Sequence, residues 1–180
     1  KRIERDLKLG SIDAFFGFSR APQRVTDFEF VAIPLYSVKY VFAARIDDPF
    51  TITTLDDLRK LDDGGIVLTL FGTVDAEYLR AQGGLQVDDK AATVSALLAK
   101  LDGKRGRFAY YHNLGLVHAL RGSELSEKVR ILPFVVQESP HFVAFSKNSD
   151  PAKIRAVQLA LQRLHDTGKL KAIYKKYSVQ

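Results

Sequence analysis

Few side chains in this 180-residue chain are spaced for chemistry. Arg24, with Arg20 four residues before it, carries a planar guanidinium fork that pairs with a carboxylate through two hydrogen bonds. The alternative is a solvated loop arginine. Ser19 ends an apolar run five residues before Arg24, where it is either a hydroxyl donor to a ligand or simple turn chemistry. Gly72-Thr73 lies between a strand-like run and a helical stretch that Val74 opens. The unpaired N–H groups and dipole of such a helix start attract an anion, and Gly72 lets a ligand come close. Thr73 adds a hydroxyl there or caps the helix, and the two roles share one location. Tyr110, Tyr111, His112 and Asn113 end a further apolar run, in which one tyrosine must face the core. Catalysis has little to draw on: there is no Ser-His-Asp arrangement, Walker loop or GxGxxG, and Glu138 and His141 are the acid or base candidates.

Composition narrows the classes further. Hydrophobic residues make up 46% and charged residues 27%, which excludes a disordered chain, a collagen-like repeat and a coiled coil. No apolar run approaches the roughly 18 residues of a membrane-spanning helix. With no Cys and four scattered histidines, disulfides, thiol catalysis and CxxC or HExxH metal sites drop out, and no cofactor is expected. The net charge of +6 is spread along the chain, with clusters at Lys104–Arg107 and Lys169–Lys176. No nucleic-acid module accompanies it, so it is a solvated basic surface or a field that draws acidic solutes. The absence of Met and of a visible signal peptide leads us to expect that any export signal was removed or lies outside these residues.

The elements that must position these residues alternate between strand and helix. A helix over 1–9 stops at Gly10, and Ile12–Phe18 has the unalternating apolar pattern of a strand covered on both faces in a parallel sheet. Residues 19–25 read as a polar loop, and 28–33 and 37–45 as extended segments. Thr54 caps a short helix with Asp57 three residues on, Ile66–Leu70 is a strand, and Val74–Gln82 is a helix. Val94, Leu97, Leu98 and Leu101 have amphipathic spacing. A strand at Phe108–Tyr111 and a helix over 113–120 follow, then strands at Val129–Val136, broken by Pro133, and Phe142–Phe145. Asp150-Pro151 opens a helix that should bury Val157 and Leu161, and a last short helix carries Leu170, Ile173 and Tyr174. The class is α/β with mainly parallel sheet.

Three stretches together resemble the family 3 extracellular solute-binding proteins of ABC transporters, the amino-acid-binding type. They are Leu7-x-x-Gly10-Ser11-Ile12-Asp13-Ala14 with Ser19 and Pro22-Gln23-Arg24; Leu55-Asp56-Asp57-Leu58 with Ile66-Val67-Leu68 and Gly72-Thr73; and Ala160-Leu161 through Leu164, Gly168-Lys169-Leu170 and Ile173 to Tyr177. The resemblance implies a type II periplasmic-binding-protein-like fold. Its lobe 1 is built from 1–45 and 138–180, its lobe 2 from 46–137, with ligand in the cleft. It implies that Arg24 holds the ligand's carboxylate, with Ser19, Gly72, Thr73, Val74, Tyr111 and Asn113 around it. Asn113 stands where amino-acid binders carry the acid that pairs with an ammonium group, which weakens the amino-acid reading and makes an organic acid or another ligand without a positive centre credible.

The function implied is non-catalytic binding of a small carboxylate-bearing solute, periplasmic or extracellular, for delivery to an ABC permease. A ligand-sensing domain and a dehydratase-like enzyme on the same scaffold are the alternatives. The family's opening strand, helix and strand have no counterpart before Lys1. Lobe 1 is therefore expected to be partial, with an open edge that invites self-association.

Overall fold

The computed structural model describes residues 2–177, the side chains of residues 62 and 63 excepted. Lys1 and residues 178–180, part of the expected lobe 1, lie outside it. The chain packs as two compact units, one of residues up to Val38 together with those from Ser139 onward, the other Lys39–Glu138.

In the first unit, β1 (Ala14–Ser19) and β2 (Phe28–Phe30) both pair antiparallel with the end of β7 (Val129–Ser146). The parallel pairing expected for the 12–18 run is thus antiparallel, because its partner is the returning strand. β7 alternates, so both its faces are covered. Ala144 packs with Leu7 of α1 (Arg2–Lys8), Phe18 and Phe28, while Val143 and Phe145 pack with Val31 and Leu161 of α7 (Pro151–Asp166). Leu161 is buried as its spacing requires, whereas Val157 is only half-buried at the edge of that cluster. Asp150 accepts from the Ala152 N–H at 2.8 Å and starts α7, and Pro151 fills the first helical position, where no N–H is needed. α8 (Lys169–Tyr177) follows.

A bulge shapes β1. The register shifts between Phe16 and Phe18, and Gly17 has φ of +123°, which a side chain rarely adopts. The extra residue brings Phe18 onto Phe15's face, their ring centroids 4.6 Å apart, and leaves Phe16 58% exposed. The expected loop at 19–25 contains one helical turn, α2 (Pro22–Val25), too short for periodicity to reveal.

The second unit has a mixed sheet. β4 (Val67–Leu70) is parallel to both β5 (Val87–Ala91) and β6 (Phe108–His112), and β3 (Tyr36–Arg45) runs antiparallel to β6. β4 lies between β5 and β6 and is buried throughout, Thr69 included. On one face Val41, Ala43, Leu68 and Ala109 meet Leu97, Leu98 and Leu101 of α5 (Val94–Asp102) and Leu116 of α6 (Asn113–Leu120). Phe42 contacts Phe108, Tyr110 and Phe134 through its ring. α3 (Leu55–Arg59) begins where the Asp57 carboxylate accepts from the Thr54 N–H at 2.9 Å, and α4 (Val74–Ala81) follows β4. The two strands read over 129–136 and 142–145 are one strand, β7. Pro133 and Pro140 lie within it.

Candidate functional site

The first unit gathers Ser19 and Arg24. The bulge brings Phe18 beneath the guanidinium, whose carbon is 4.5 Å from the ring centroid. The α2 turn carries Arg24 back toward the strand end, and Arg24 Nη1 donates to Ser19 Oγ at 2.9 Å. Glu4 of α1 supplies the counter-charge, Arg24 Nε donating to its Oε1 at 2.8 Å. Burial alone would raise the Glu4 carboxyl, but hydrogen bonds and positive charge, those of Arg24 foremost, hold it below its ordinary value. Among the described residues no acceptor is bonded to Arg24 Nη2, and none takes the Ser19 hydroxyl proton.

Arg20, the other candidate, is committed elsewhere. It donates to the Val31 carbonyl at 2.9 Å and lies 4.0 Å over the Phe142 ring. His141 pairs with Ser19 across the β1–β7 ladder and packs on Tyr36, ring centroids 5.1 Å apart. Both of its ring nitrogens are buried, with no hydrogen bond within ordinary geometry among the described residues, and burial pushes its pKa down. An open hollow of about 540 Å³ beside Glu29, Lys147, Arg155 and Gln158 holds none of these residues.

The second unit carries the remaining candidates. Gly72 has φ of +63° at the turn out of β4, and Thr73 is the N-cap of α4. Thr73 Oγ1 accepts from the Ala76 N–H at 3.3 Å and donates to the Leu70 carbonyl at 3.0 Å. Val74 opens the helix, and the buried Asp75 in its first turn already brings negative charge to this end. Tyr110 is the tyrosine that faces the core. It is fully buried, Gln137 donates to its hydroxyl at 3.4 Å, and burial pushes its pKa far up. Tyr111 is half-buried against the α5–α6 core. Asn113 Oδ1 accepts from the Lys39 N–H at 3.0 Å, so its carbonyl secures β3. His112 caps α6 by accepting from the Gly115 N–H at Nδ1, 3.0 Å. Glu138 is exposed.

Sequence reasoning missed Glu4 and Phe18 as partners of Arg24. No periodicity links residues 20 apart, and only the Phe-Gly-Phe run hinted at a bulge. Among the described residues no group of three or more His, Asp or Glu is placed to hold a metal ion, and no helix is long and apolar enough to cross a membrane.

No curated protein is similar enough in sequence to match. Solved structures are. They include a mutant of ArgBP from T. maritima, 18% identical, TM-score 0.80, covering 97% of this chain and 72% of that one. A second is the GluR0 ligand-binding core from Nostoc punctiforme in complex with L-glutamate, 21% identical, TM-score 0.76, covering 96% and 76%. A third is the ancestral amino acid-binding protein AncCDT-1, a precursor of cyclohexadienyl dehydratase, 18% identical, TM-score 0.79, covering 97% and 73%. At such identities the likeness establishes the fold, the type II periplasmic-binding-protein fold. The family profile of bacterial extracellular solute-binding proteins matches residues 1–180 from end to end. The chain therefore belongs to the bacterial extracellular solute-binding proteins, family 3.

Proposed function

We propose that this chain binds the carboxylate of a small solute, an amino acid or an organic acid, at Ser19 and Arg24. The observation that carries the reading is the pair of uncommitted donors, Arg24 Nη2–H and the Ser19 hydroxyl, held together by the 2.9 Å bond between the two residues. A carboxylate accepts from such a pair without further rearrangement. In this reading the lobes are residues 1–45 with 138–180 and residues 46–137. Gly72, Thr73, Val74, Tyr111 and Asn113 contribute from the second, on the strength of the family resemblance. Asn113 brings no charge, which favours a ligand whose recognition does not depend on an ammonium group. The protein works without catalysis outside the cytoplasm and hands its solute to an ABC permease.

A thermal-shift screen over amino acids and dicarboxylates finds the ligand, because binding to the native state alone raises stability. Arg24→Ala then lowers affinity at least roughly tenfold in calorimetry, as expected for loss of a charge-assisted hydrogen bond. Unchanged affinity removes Arg24 from the site.

A further inference from the structure

The net charge of +6 proves local rather than spread along the chain. Through Asp150 the sequence carries 20 basic and 20 acidic residues; beyond it stand seven basic residues and a single acid, Asp166. The whole excess therefore lies on α7 and α8, which pack together in the first unit. Asp166 is itself taken up by Gln162 and His165. Lys153 pairs with Asp13 at 2.9 Å, and Lys176 Nζ lies 5.4 Å from the Tyr177 ring centroid. Among the described residues Arg155, Arg163, Lys169, Lys171 and Lys175 have no ion pair. These cations are interleaved with exposed apolar side chains. On α8, Lys169, Ile173, Lys176 and Tyr177 share one side of the helix, with Ile173 51% and Tyr177 60% exposed. On α7, Arg155, Leu159 and Arg163 follow one another at intervals of four, and Leu159 is 50% exposed.

We propose that α7 and α8 form a docking face for an anionic lipid bilayer. Lysines beside an apolar edge suit the bilayer surface: Ile173, Tyr177 and Leu159 enter the headgroup boundary while the ammonium groups reach the lipid phosphates. A nucleic acid would draw on the cations and leave Ile173 and Leu159 in water; a bilayer takes both. The attraction fades within a Debye length, about 8 Å at physiological salt, so docking is reversible and salt-sensitive. The inference does not depend on the carboxylate site. Under the proposed function, docking would raise the protein's effective concentration beside a permease.

Vesicles of phosphatidylcholine with an equal share of phosphatidylglycerol are the probe, pure phosphatidylcholine the control, and co-sedimentation the readout. The wild type should sediment with the anionic vesicles alone, and less as salt rises. Lys169→Gln with Lys176→Gln should weaken binding at least roughly tenfold, since each lysine at such a surface contributes several-fold. Lys104→Gln with Arg105→Gln removes as much charge from the other basic cluster and should leave binding nearly unchanged. Ile173→Ser with Tyr177→Ser should weaken it with no change of charge. The chain has no Trp, so Tyr177→Trp is a lone reporter whose emission should shift to the blue on the anionic vesicles. No binding, equal binding to both kinds of vesicle, equal loss from the two charge-lowering pairs, no loss from Ile173→Ser with Tyr177→Ser, or an unshifted Trp overturns the proposal. So does a DNA duplex bound as tightly as the anionic vesicles, which would mark a face for any polyanion. Should a paired variant fail to fold, the Tyr177→Trp emission decides alone.

Discussion

Each unit pairs an arginine with a carboxylate over an aromatic ring, and the two pairs are built differently. In the second unit Arg107 grips Asp48 with both teeth, Nε to Oδ2 at 2.7 Å and Nη2 to Oδ1 at 3.0 Å. The Phe50 N–H also donates to Asp48 Oδ1, and Arg130 donates to the Asp48 carbonyl. The Asp48 side chain is 6% exposed, and the Arg107 guanidinium lies 4.8 Å from the Phe50 ring centroid. In the first unit Arg24 makes a single contact with Glu4 and leaves one tooth open. A carboxylate gripped by the full fork and a backbone N–H is a clamp that fixes backbone. A single contact leaves the arginine room for another acid. Residue types alone do not separate the two pairs; the use of the fork does.

The largest effect expected from this contrast is on stability. Arg107→Ala strands a buried carboxylate and should cost about 3 kcal/mol in urea unfolding. Arg24→Ala should cost no more than about 1 kcal/mol, because its partner is partly solvated. Equal losses would erase the distinction.

The two hydroxyls sharpen it. Thr73 both accepts and donates within its turn, so Thr73→Ala should cost about 1 kcal/mol, with Thr73→Ser restoring most of it. Ser19 only accepts, and Ser19→Ala should cost a few tenths of a kcal/mol, about a weak surface contact, in the same assay.

The smallest effect is on pH dependence. The Arg107 hydrogen bond holds Asp48 below its ordinary 3.8, and Glu4, against the opposing effect of burial, is held below its ordinary 4.5 by hydrogen bonds and charge, those of Arg24 foremost. A depressed carboxyl contributes stability that is complete above the ordinary value and lost as the pH falls through the folded one. Asp48→Asn should flatten that acid limb visibly, and Glu4→Gln should leave it nearly as steep. Urea midpoints between pH 5 and 2 read both slopes, and an equal flattening would mean that Glu4 is held as firmly as Asp48.

Where the sequence was readable, the reason is local. α5 and α7 announce themselves through apolar spacing, and α7 also through Asp150, which caps it in the structure; the Thr93 cap of α5 went unread. β5 was invisible because Asp88, Asp89 and Lys90 are poor strand formers. Two of them are held by ion pairs from helices, Asp88 with Lys100 at 2.6 Å and Asp89 with Arg80 at 2.7 Å. The continuity of β7 was hidden by its prolines. Arg24 stood out from Arg20 only through the family resemblance, and the structure adds a physical reason, since Arg20 is tied to Val31 and Phe142. Glu4 could not be read at all: its meaning lies in a contact between a helix and a turn 20 residues away.

The order of synthesis follows from the way the units divide the chain. The second unit is one unbroken stretch, Lys39–Glu138, and can close as soon as it leaves the ribosome. The first unit cannot. Phe18 and Phe28 wait for Ala144, and Val31 waits for Val143 and Leu161. At 5–20 residues per second that wait is on the order of ten seconds. Throughout it the nascent chain trails an uncovered phenylalanine-rich arm behind a folded unit, and it is in this interval that a chaperone would find its client.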